Sequence, residues 1–318
     1  MKGLSKESAT WHDVGESGSD QRIDNYLTRL LKGVPKSHIY RILRSGEIRV
    51  NSGRVGPDYR LRAGDRVRIP PIRVAQRKPH PGAAAAPRFD ASILYEDDVL
   101  LVLDKPAGVA VHGGSGISFG VIEQLRHARP QAHFLELVHR LDRDTSGVLL
   151  LAKKRSALTA LHEQLRAGRV QKSYLVLVHG PWRGRRQDIR LPLNKYVLAS
   201  GERRVSVSEG GLPSHTIIRL KQRWAEFSLL EAELKTGRTH QIRVHLAHLE
   251  FPIAGDDKYG DFALNKRLAR QGLKRMFLHA CRTVIVHPRS GESIAFEAPL
   301  PEDLQGFIQR LDAASDVP

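Results

Sequence analysis

The chain has 318 residues, of which 41% are hydrophobic and 6% aromatic, and its formal net charge is +17. This composition excludes a disordered chain, and the length allows one large domain or two modest ones. The single cysteine, Cys281, excludes a disulfide framework and a multi-cysteine metal centre, and it favours a reducing compartment. Because there is no apolar leader and no run of about 18 apolar residues, we expect neither a secreted nor a membrane-spanning protein.

Positive charge is concentrated in the first quarter of the chain. Residues 21–80 contain 15 Lys and Arg against 4 Asp and Glu, a net charge of +11 in 60 residues. Such an excess is typical of a domain that binds a polyanion. We therefore predict a flexible N terminus at 1–19 and a basic RNA-binding domain at 20–74. A proline- and alanine-rich linker at 75–90 and a larger domain at 91–312 complete this prediction.

Two short helices are expected in the basic domain. The first is predicted to end at Gly33, because apolar residues recur at helical spacing at Ile23, Tyr26, Leu27, Leu30 and Leu31. The second follows Pro35 with Ser37 as its N-cap, and its buried stripe is Ile39, Ile42 and Leu43. Its polar face carries three candidate contacts to an RNA backbone, namely Lys36, Arg41 and Arg44. A solvated basic face without a ligand is the alternative.

From residue 91 onward, strand patterns and helix patterns are interspersed. Apolar runs predict strands in ILYEDDVLLVLDK, KSYLVLVHG, IIRLKQ and EFSLLEAEL. Amphipathic spacing predicts helices at 119–128, in SALTALHEQLRAG with Ser156 as its N-cap, and in THQIRVHLAHLE. Strands joined partly by short turns and partly by helices favour an α+β fold with a mixed sheet.

Several familiar site patterns are absent from the sequence. It contains no GxGxxG, GxxxxGK[ST], GxSxG or HExxH, and the spacings of His240, His245 and His248 scatter them around a helix. We therefore expect neither a nucleotide cofactor nor a metal ion. A metal-dependent nuclease needs carboxylates clustered for two metals, whereas arginines surround Asp142.

Two polar segments combine acidic, basic and hydroxyl side chains. HRLDRDTSG, residues 139–147, lies between two apolar strands, and KTGRTHQIRVH spans a tight turn and the start of a helix. Positive neighbours favour an ionised carboxylate at Asp142, although an ordinary Asp/Thr/Ser turn explains the segment more simply. Arg238 and Arg243 either bind a phosphate or an acid or lie on a solvated helix end. Tyr174 is either functional or an ordinary half-buried aromatic residue.

Four segments, in their order along the chain, resemble those of one enzyme family. HRLDRDTSG, KSYLVLVHG, LKTGRTHQIRVH and GDDKYG look like the signature segments of the large-subunit ribosomal pseudouridine synthases. RIDNYLTRLLKGVPKSHIYRILRSGEIRVN resembles the small α/β RNA-binding domain of ribosomal protein S-four. The resemblance covers residues 20–311 and implies the pseudouridine synthase fold, a mixed, largely antiparallel sheet flanked by helices. KGVPKSHIYRILR and VHGGSGISFGVIE favour one member of the family over its sister enzymes.

The resemblance also implies an activity and the residues that carry it. Members of the family isomerise uridines in 23S ribosomal RNA to pseudouridine, without a cofactor or a metal, after flipping the base out of its stack. The essential aspartate of the family matches Asp142, its arginine partner matches Arg243, and the active-site tyrosine matches Tyr174. The arginine that flips the base matches Arg140. Further residues implied in holding the RNA are Lys172, Arg238, His240 and Gln241.

Two alternatives and one mechanistic choice accompany this interpretation. The first alternative is a sister enzyme with other target uridines, and the second is a non-catalytic RNA-binding or ribosome-assembly protein on the same scaffold. Asp142 either adds covalently to the sugar or the base, or it deprotonates the ribose. We expect a cytoplasmic protein whose partner is 23S rRNA, free or in the large ribosomal subunit, with no membrane contact and no obligate protein partner.

Overall fold

The structure is a computed structural model that describes residues 8–31, 34–72, 89–113 and 119–315. The chain divides into two compact units, residues 1–86 and 87–318. The predicted linker at 75–90 lies almost entirely outside the described residues, as does the predicted helix end at Gly33. The centre of the VHGGSGISFGVIE segment also lies outside them.

Among its described residues, the first unit contains two α-helices and a four-stranded antiparallel sheet. Helix α1 is Ile23–Leu30 and helix α2 is Lys36–Arg44. The strands are β1 (Thr10–Asp13), β2 (Arg49–Val50), β3 (Gly53–Arg54) and β4 (Arg66–Ile69). Their order in the sheet is β1-β4-β2-β3, so that β1 and β3 are the edges.

Strand β1 corrects the prediction of a flexible N terminus at 1–19 for the described part of that segment, which starts at residue 8. It pairs antiparallel with β4, from Thr10 opposite Ile69 to Asp13 opposite Arg66. Val14, which follows it, is 2% exposed in the apolar core of the unit. Local sequence did not reveal the strand, because its backbone partners come from a distant part of the chain.

The predicted stripe of α2 forms part of the core, since Ile39, Ile42 and Leu43 are at most 2% exposed. The prediction of Ser37 as the N-cap was wrong, because the helix begins at Lys36 with Pro35 at the capping position. The proline ring holds φ at −58°, which prepares the chain for the helical turn that follows.

The second unit contains five helices and twelve strands among its described residues. The helices are α3 (Val121–Ala128), α4 (Arg155–Arg166), α5 (Gln241–His248), α6 (Phe262–Arg270) and α7 (Glu302–Ser315). The first six strands are β5 (Ile93–Glu96), β6 (Leu100–Lys105), β7 (Glu136–Leu137), β8 (Ser146–Ala152), β9 (Gln171–His179) and β10 (Arg186–Ile189). The others are β11 (Leu193–Val197), β12 (Arg203–Val207), β13 (Thr216–Arg223), β14 (Phe227–Leu234), β15 (Leu278–Val286) and β16 (Ser293–Glu297).

Ten of these strands form one sheet, and β11 and β12 form a separate hairpin. The order in the sheet is β10-β13-β14-β9-β15-β8-β6-β5, with β16 paired to β15 and β7 paired to β8. Every described pairing in it is antiparallel except that of β15 with β8. This arrangement confirms the prediction of an α+β fold with a mixed, largely antiparallel sheet flanked by helices.

The middle of the sheet is buried on both faces. In β6, Leu101 and Leu103 belong to one apolar cluster, whereas Leu100 and Val102 belong to another. Successive side chains of a strand point to opposite faces, so the strand separates two cores. Helix α4 packs into the second core, but it starts at Arg155, so the prediction of Ser156 as its N-cap was wrong. No helix in the described ranges is long and apolar enough to cross a membrane.

Candidate active site

Three polar segments of the second unit meet at one end of the sheet, beside β15. Strand β8 starts at Ser146, which lies opposite His279 of β15. On the other side of β15, Leu175 of β9 lies opposite the same histidine. The loop before β8 and Tyr174 of β9 therefore reach the same level of the sheet. The turn between β14 and α5 reaches it too, because β14 pairs along β9.

Arg243 of α5 connects two of these segments through ion pairs. Its Nη1 donates to Oδ2 of Asp142 at 3.1 Å. Its Nε and Nη2 donate to the two carboxylate oxygens of Asp256, each at 2.7 Å. Arg243 is 5% exposed and Asp256 is 1% exposed. One buried guanidinium thus holds two carboxylates in a fixed geometry, of which the Asp142 side chain keeps 19% of its surface exposed.

Burial and pairing act in opposite directions on this cluster. Burial lowers the pKa of Arg243, but the hydrogen bonds and charge of Asp256, together with those of Asp142, raise it to a net value above the ordinary one. Burial likewise raises the pKa of Asp256, but the hydrogen bonds of Arg243 hold it below the ordinary value of 3.8. The pair therefore stays ionised, and a fixed positive charge faces Asp142.

His240 lies at the N-terminus of α5 in the left-handed region, with φ at 53°. Its Nδ1 lies 2.8 Å from the hydroxyl oxygen of Tyr259, and its Nε2 lies 3.8 Å from Oδ2 of Asp142. Burial lowers the pKa of His240, and the charge of Asp142 opposes this shift only in part. The imidazole is therefore neutral at pH 7, and Arg243 supplies the positive charge beside Asp142.

A cavity of about 580 Å³ opens in front of Asp142. Tyr174, which is 7% exposed, lines it, together with His139, Lys172 and Gly237. Burial raises the pKa of Tyr174, and the charge of Asp142 raises it further, so the phenol is protonated at pH 7. The cavity combines an aromatic wall with the carboxylate of Asp142.

Basic side chains surround the mouth of this cavity. Arg140 and Arg238 are exposed, and both contribute to its lining. Within the described part of the chain, neither Arg140 nor Lys172 pairs with a carboxylate. Burial lowers the pKa of Lys172. Arg238 makes one hydrogen bond through its side chain, in which its Nε donates to the carbonyl of Pro213 at 3.1 Å.

Gln241 does not reach the cavity surface. It is 2% exposed, and its amide nitrogen donates to the carbonyl of His215 and to Oγ1 of Thr216. Its amide oxygen accepts from Thr236 and from the backbone N–H of Arg238. The structure therefore does not support a direct RNA contact for Gln241, because every polar atom of its side chain is used inside the protein.

The three predicted contacts of the first unit lie on α2. Lys36, Arg41 and Arg44 are all exposed, while the opposite side of the helix is buried. Nη2 of Arg41 lies 3.3 Å from Nδ1 of His38. Among the described residues none of the three pairs with a carboxylate, which leaves a basic helical face.

Two residues of the site were missed by the sequence analysis. Asp256 belongs to the GDDKYG segment, but nothing in the pattern distinguished it from the neighbouring Asp257. Lys105 is fully buried, and its ammonium group donates to the carbonyls of Pro106, Val109 and Arg143 at 2.6, 2.9 and 3.0 Å. It fixes the loop that carries Asp142, and a lysine in an apolar run followed by proline is the only signal that the sequence offers.

The described residues contain no group of three or more His, Cys, Asp or Glu side chains that could hold a metal ion.

Comparison with known proteins identifies the class. The family model of RNA pseudouridylate synthases matches residues 99–248, and that of the S4 domain matches residues 21–67. Two human proteins of known structure, RNA Pseudouridylate Synthase Domain Containing 4 and Domain Containing 1, are each 25% identical to the chain. Their TM-scores are 0.58 and 0.55, and they cover 72% and 70% of this chain and 95% and 94% of their own.

Bacterial relatives are more similar over nearly the whole chain. Ribosomal large subunit pseudouridine synthase C of Haemophilus influenzae is 54% identical, and the match covers 94% of each protein. The protein of the same name from Escherichia coli is 56% identical over 92% of this chain and 93% of its own length. The chain belongs to the RNA pseudouridylate synthase family, and it is an enzyme that isomerises uridine in RNA to pseudouridine. The predicted fold and enzyme class are thereby confirmed.

Proposed function

We propose that this enzyme converts specific uridines of 23S ribosomal RNA to pseudouridine, with Asp142 as its essential carboxylate. The observation that carries this assignment is the contact of Asp142 with Arg243, at 3.1 Å, beside a cavity lined by Tyr174. A carboxylate can act as a nucleophile or a base, and the adjacent guanidinium fixes this one beside the cavity.

The reaction exchanges one bond of the base for another. The bond between C1′ of the ribose and N1 of uracil breaks, the uracil turns, and a bond forms between C1′ and C5. The hydrogen on C5 then leaves as a proton, and N1 gains one, so the product has the mass of the substrate. Asp142 is proposed to start the reaction, either by adding covalently to the sugar or the base, or by removing a proton from the ribose.

Tyr174 is proposed to pack against the uracil. Because burial keeps its phenol protonated, it can take the C5 proton only by passing its own proton on. Asp142, which lines the same cavity, is the proposed acceptor of that proton. Arg243 holds Asp142, and Asp256 in turn holds Arg243.

The target base must leave its stack to enter the cavity, at a cost of a few kcal/mol. Arg140 is proposed to fill the vacated position, because its planar guanidinium can stack on bases and bind phosphate. Lys172, Arg238 and the basic face of α2 are proposed to hold the RNA backbone. We assign Gln241 a positioning role instead, and His240 lies too close to Asp142 to be only a backbone contact.

The ribosomal target rests on the names of the relatives and on the basic S4 domain. Both relatives are called large subunit pseudouridine synthases, and the large bacterial subunit contains 23S RNA. Such an enzyme works in the cytoplasm without an obligate protein partner. The alternative is a sister enzyme that modifies other uridines. Mapping pseudouridines on rRNA from a deletion strain distinguishes the two, because the positions that lack pseudouridine are the targets.

Release of tritium from a 23S transcript that contains 5-tritiated uridine tests the proposal. We expect release by the wild-type enzyme without added metal or nucleotide, and none by Asp142→Asn. Asp144→Asn is the matched control, because Asp144 lies two residues away and pairs with the exposed Arg143 at 3.1 Å. This control should keep most of the activity.

Either of two results would contradict the proposal. Equal release by Asp142→Asn and the wild type would remove Asp142 from the centre of the reaction. The other result is salt-sensitive binding of the transcript with no release of tritium, either from the transcript or from assembled ribosomal particles. It would favour a non-catalytic RNA-binding protein.

A further inference from the structure

Four side chains of the first unit form a row across the exposed face of its sheet. Trp11 of β1 lies directly opposite Arg68 of β4. Arg68 lies opposite Arg49 of β2, and Arg49 lies opposite Arg54 of β3. Because neighbouring strands are about 4.8 Å apart, the row spans roughly 14 Å. We call these four residues the cross-strand row.

The three arginines of the row have no acidic partners within the described part of the chain. Arg49 donates to the carbonyls of Gly46 and Ser52, at 3.3 and 3.5 Å, and Arg68 donates to that of Glu47 at 2.8 Å. Like charges directly opposite each other destabilise a sheet. A polyanion that bound here would relieve this repulsion.

Trp11 ends the row with an exposed aromatic surface. It is 44% exposed, and the guanidinium of Arg66 lies 5.3 Å from its ring centroid. Arg66 itself pairs with Asp13 at 3.4 Å and is therefore partly neutralised. A groove of about 530 Å³ runs along the row. Glu47 is the one acidic residue in its lining, and its carboxylate accepts from Ser45.

We propose that the cross-strand row binds a single-stranded segment of RNA, with a base stacked on Trp11 and phosphates held by Arg68, Arg49 and Arg54. Basic grooves combined with exposed aromatic rings are the usual design for single strands, because every base has a face that can stack. A duplex offers phosphates but no free base for Trp11. The site rests on RNA being the ligand of this enzyme, and it is separate from the basic face of α2. Trp11 and Arg68 also lie outside residues 21–67, which match the S4 domain.

Fluorescence of the full-length protein provides a direct test, because Trp11 is its only exposed tryptophan. Trp182 and Trp224, the other two, are 1% and 8% exposed. The probe is a 12-nucleotide oligocytidine, which contains no uridine and therefore reports binding without turnover. We expect it to quench the fluorescence, and a 12-base-pair RNA duplex to quench it far less. Trp11→Ala should bind the oligonucleotide roughly tenfold more weakly.

The salt dependence of binding tests the arginines. Arg54→Gln should reduce the slope of log K against log salt by about 0.7, the contribution of one phosphate contact to a single strand. Arg62→Gln is the matched control, since Arg62 is an exposed arginine of the same unit outside the row. Because Arg54 makes no hydrogen bond among the described residues, its loss should not lower the melting temperature.

Three outcomes would overturn the inference. The first is binding of oligocytidine without quenching, and the second is equal quenching by the duplex. The third is an equal change of slope in Arg54→Gln and Arg62→Gln. None of these outcomes depends on tritium release, which tests the proposed reaction. The experiments can therefore contradict the RNA site on the cross-strand row without contradicting the proposed reaction, and the reverse.

Discussion

Arg243 is the residue on which the active site depends most. It is buried, and its three guanidinium nitrogens are divided between Asp256, which is fully buried, and Asp142, which borders the cavity. Removing one member of a buried pair leaves the other charge without compensation, which commonly costs about 3–5 kcal/mol. Asp142, the proposed reactive carboxylate, is thus held by a guanidinium that a second, buried carboxylate fixes in place.

We expect Asp256→Asn to lower the free energy of unfolding at pH 7 by about 2–3 kcal/mol. The loss is smaller than for a fully uncompensated charge, because Arg243 keeps its contact with Asp142. The pKa of Asp256 in the folded protein lies below its ordinary value of 3.8. Its contribution is therefore fully present above that pH and is lost as the pH falls below it. Urea denaturation should show a difference between variant and wild type that narrows below pH 3.8.

Asp257 provides the control for this prediction. It is the next residue, its side chain is 71% exposed, and it lies 3.7 Å from the same guanidinium. An exposed pair of this kind contributes little, so Asp257→Asn should change stability by less than about 1 kcal/mol. Similar losses of unfolding free energy in both variants would mean that burial does not increase the contribution of Asp256 to stability.

Arg140 is predicted to act on turnover more than on binding. Arg140→Ala should slow tritium release roughly tenfold to a hundredfold. Flipping the base costs a few kcal/mol of stacking, and without Arg140 nothing fills the vacated position to offset that cost. Binding of the same transcript should weaken less than about threefold. Arg140→Lys should restore the binding but not the turnover, since it keeps the charge without the planar group. Equal losses of turnover and binding in Arg140→Ala would contradict the assignment.

At the scale of elements, the close contact of β8 with β15 positions the loop that carries Asp142. Gly147, the second residue of β8, has φ at 107° and lies opposite Ala280 of the parallel strand β15. A Cβ atom on Gly147 would overlap the carbonyl oxygen of Ala280. Asp142, the proposed reactive residue, lies just before this contact, so a few residues of backbone connect its carboxylate to the strand pairing.

We therefore expect Gly147→Ala to lower stability by about 3–5 kcal/mol, from backbone strain together with the clash. Gly108→Ala separates the two effects, because Gly108 has φ at 81° but a Cβ atom added there would have no neighbour within 4 Å. That control should cost only about 1–2 kcal/mol. Thermal denaturation measures both, and equal losses would show that the approach of β15 plays no part.

At the scale of the whole molecule, each unit has a core of its own. The apolar cluster of the first unit draws on residues from Val14 to Ile72. The clusters of the second unit draw on residues from Phe89 onward. The charge is divided unequally, since residues 21–80 carry +11 of the net +17. The first unit therefore supplies much of the long-range attraction for RNA, and the second supplies the chemistry.

A chain that begins at residue 87 should fold by itself. We expect one cooperative thermal transition, because the cores of the second unit remain complete. Its affinity for a 23S transcript should fall, and the dependence of that affinity on salt should become shallower, since fewer cations are displaced from the RNA. Absence of a cooperative transition, or an unchanged salt dependence, would contradict this division of roles.

Local sequence patterns determined most elements of this protein and the polar segments that are proposed to carry its chemistry. Apolar spacing predicted α1, α2 and the central strands, because burial of one face or of both leaves a periodic trace in the sequence. The HRLDRDTSG and GRTHQIR segments marked Asp142 and Arg243 through their resemblance to a known family. Both predicted N-caps were wrong, because α2 and α4 begin earlier than their nearest serine and no side chain caps either helix.

The tertiary structure decided which of these residues meet. Only the packing of α5 distinguishes Asp256 from its neighbour Asp257, since identical adjacent side chains carry no signal of their own. Burial of Gln241 and the strand that carries Trp11 likewise depend on contacts between distant parts of the chain. Periodicity reports which side of an element is buried, but charge pairing and register are properties of two elements together, so they appear only once the chain has folded.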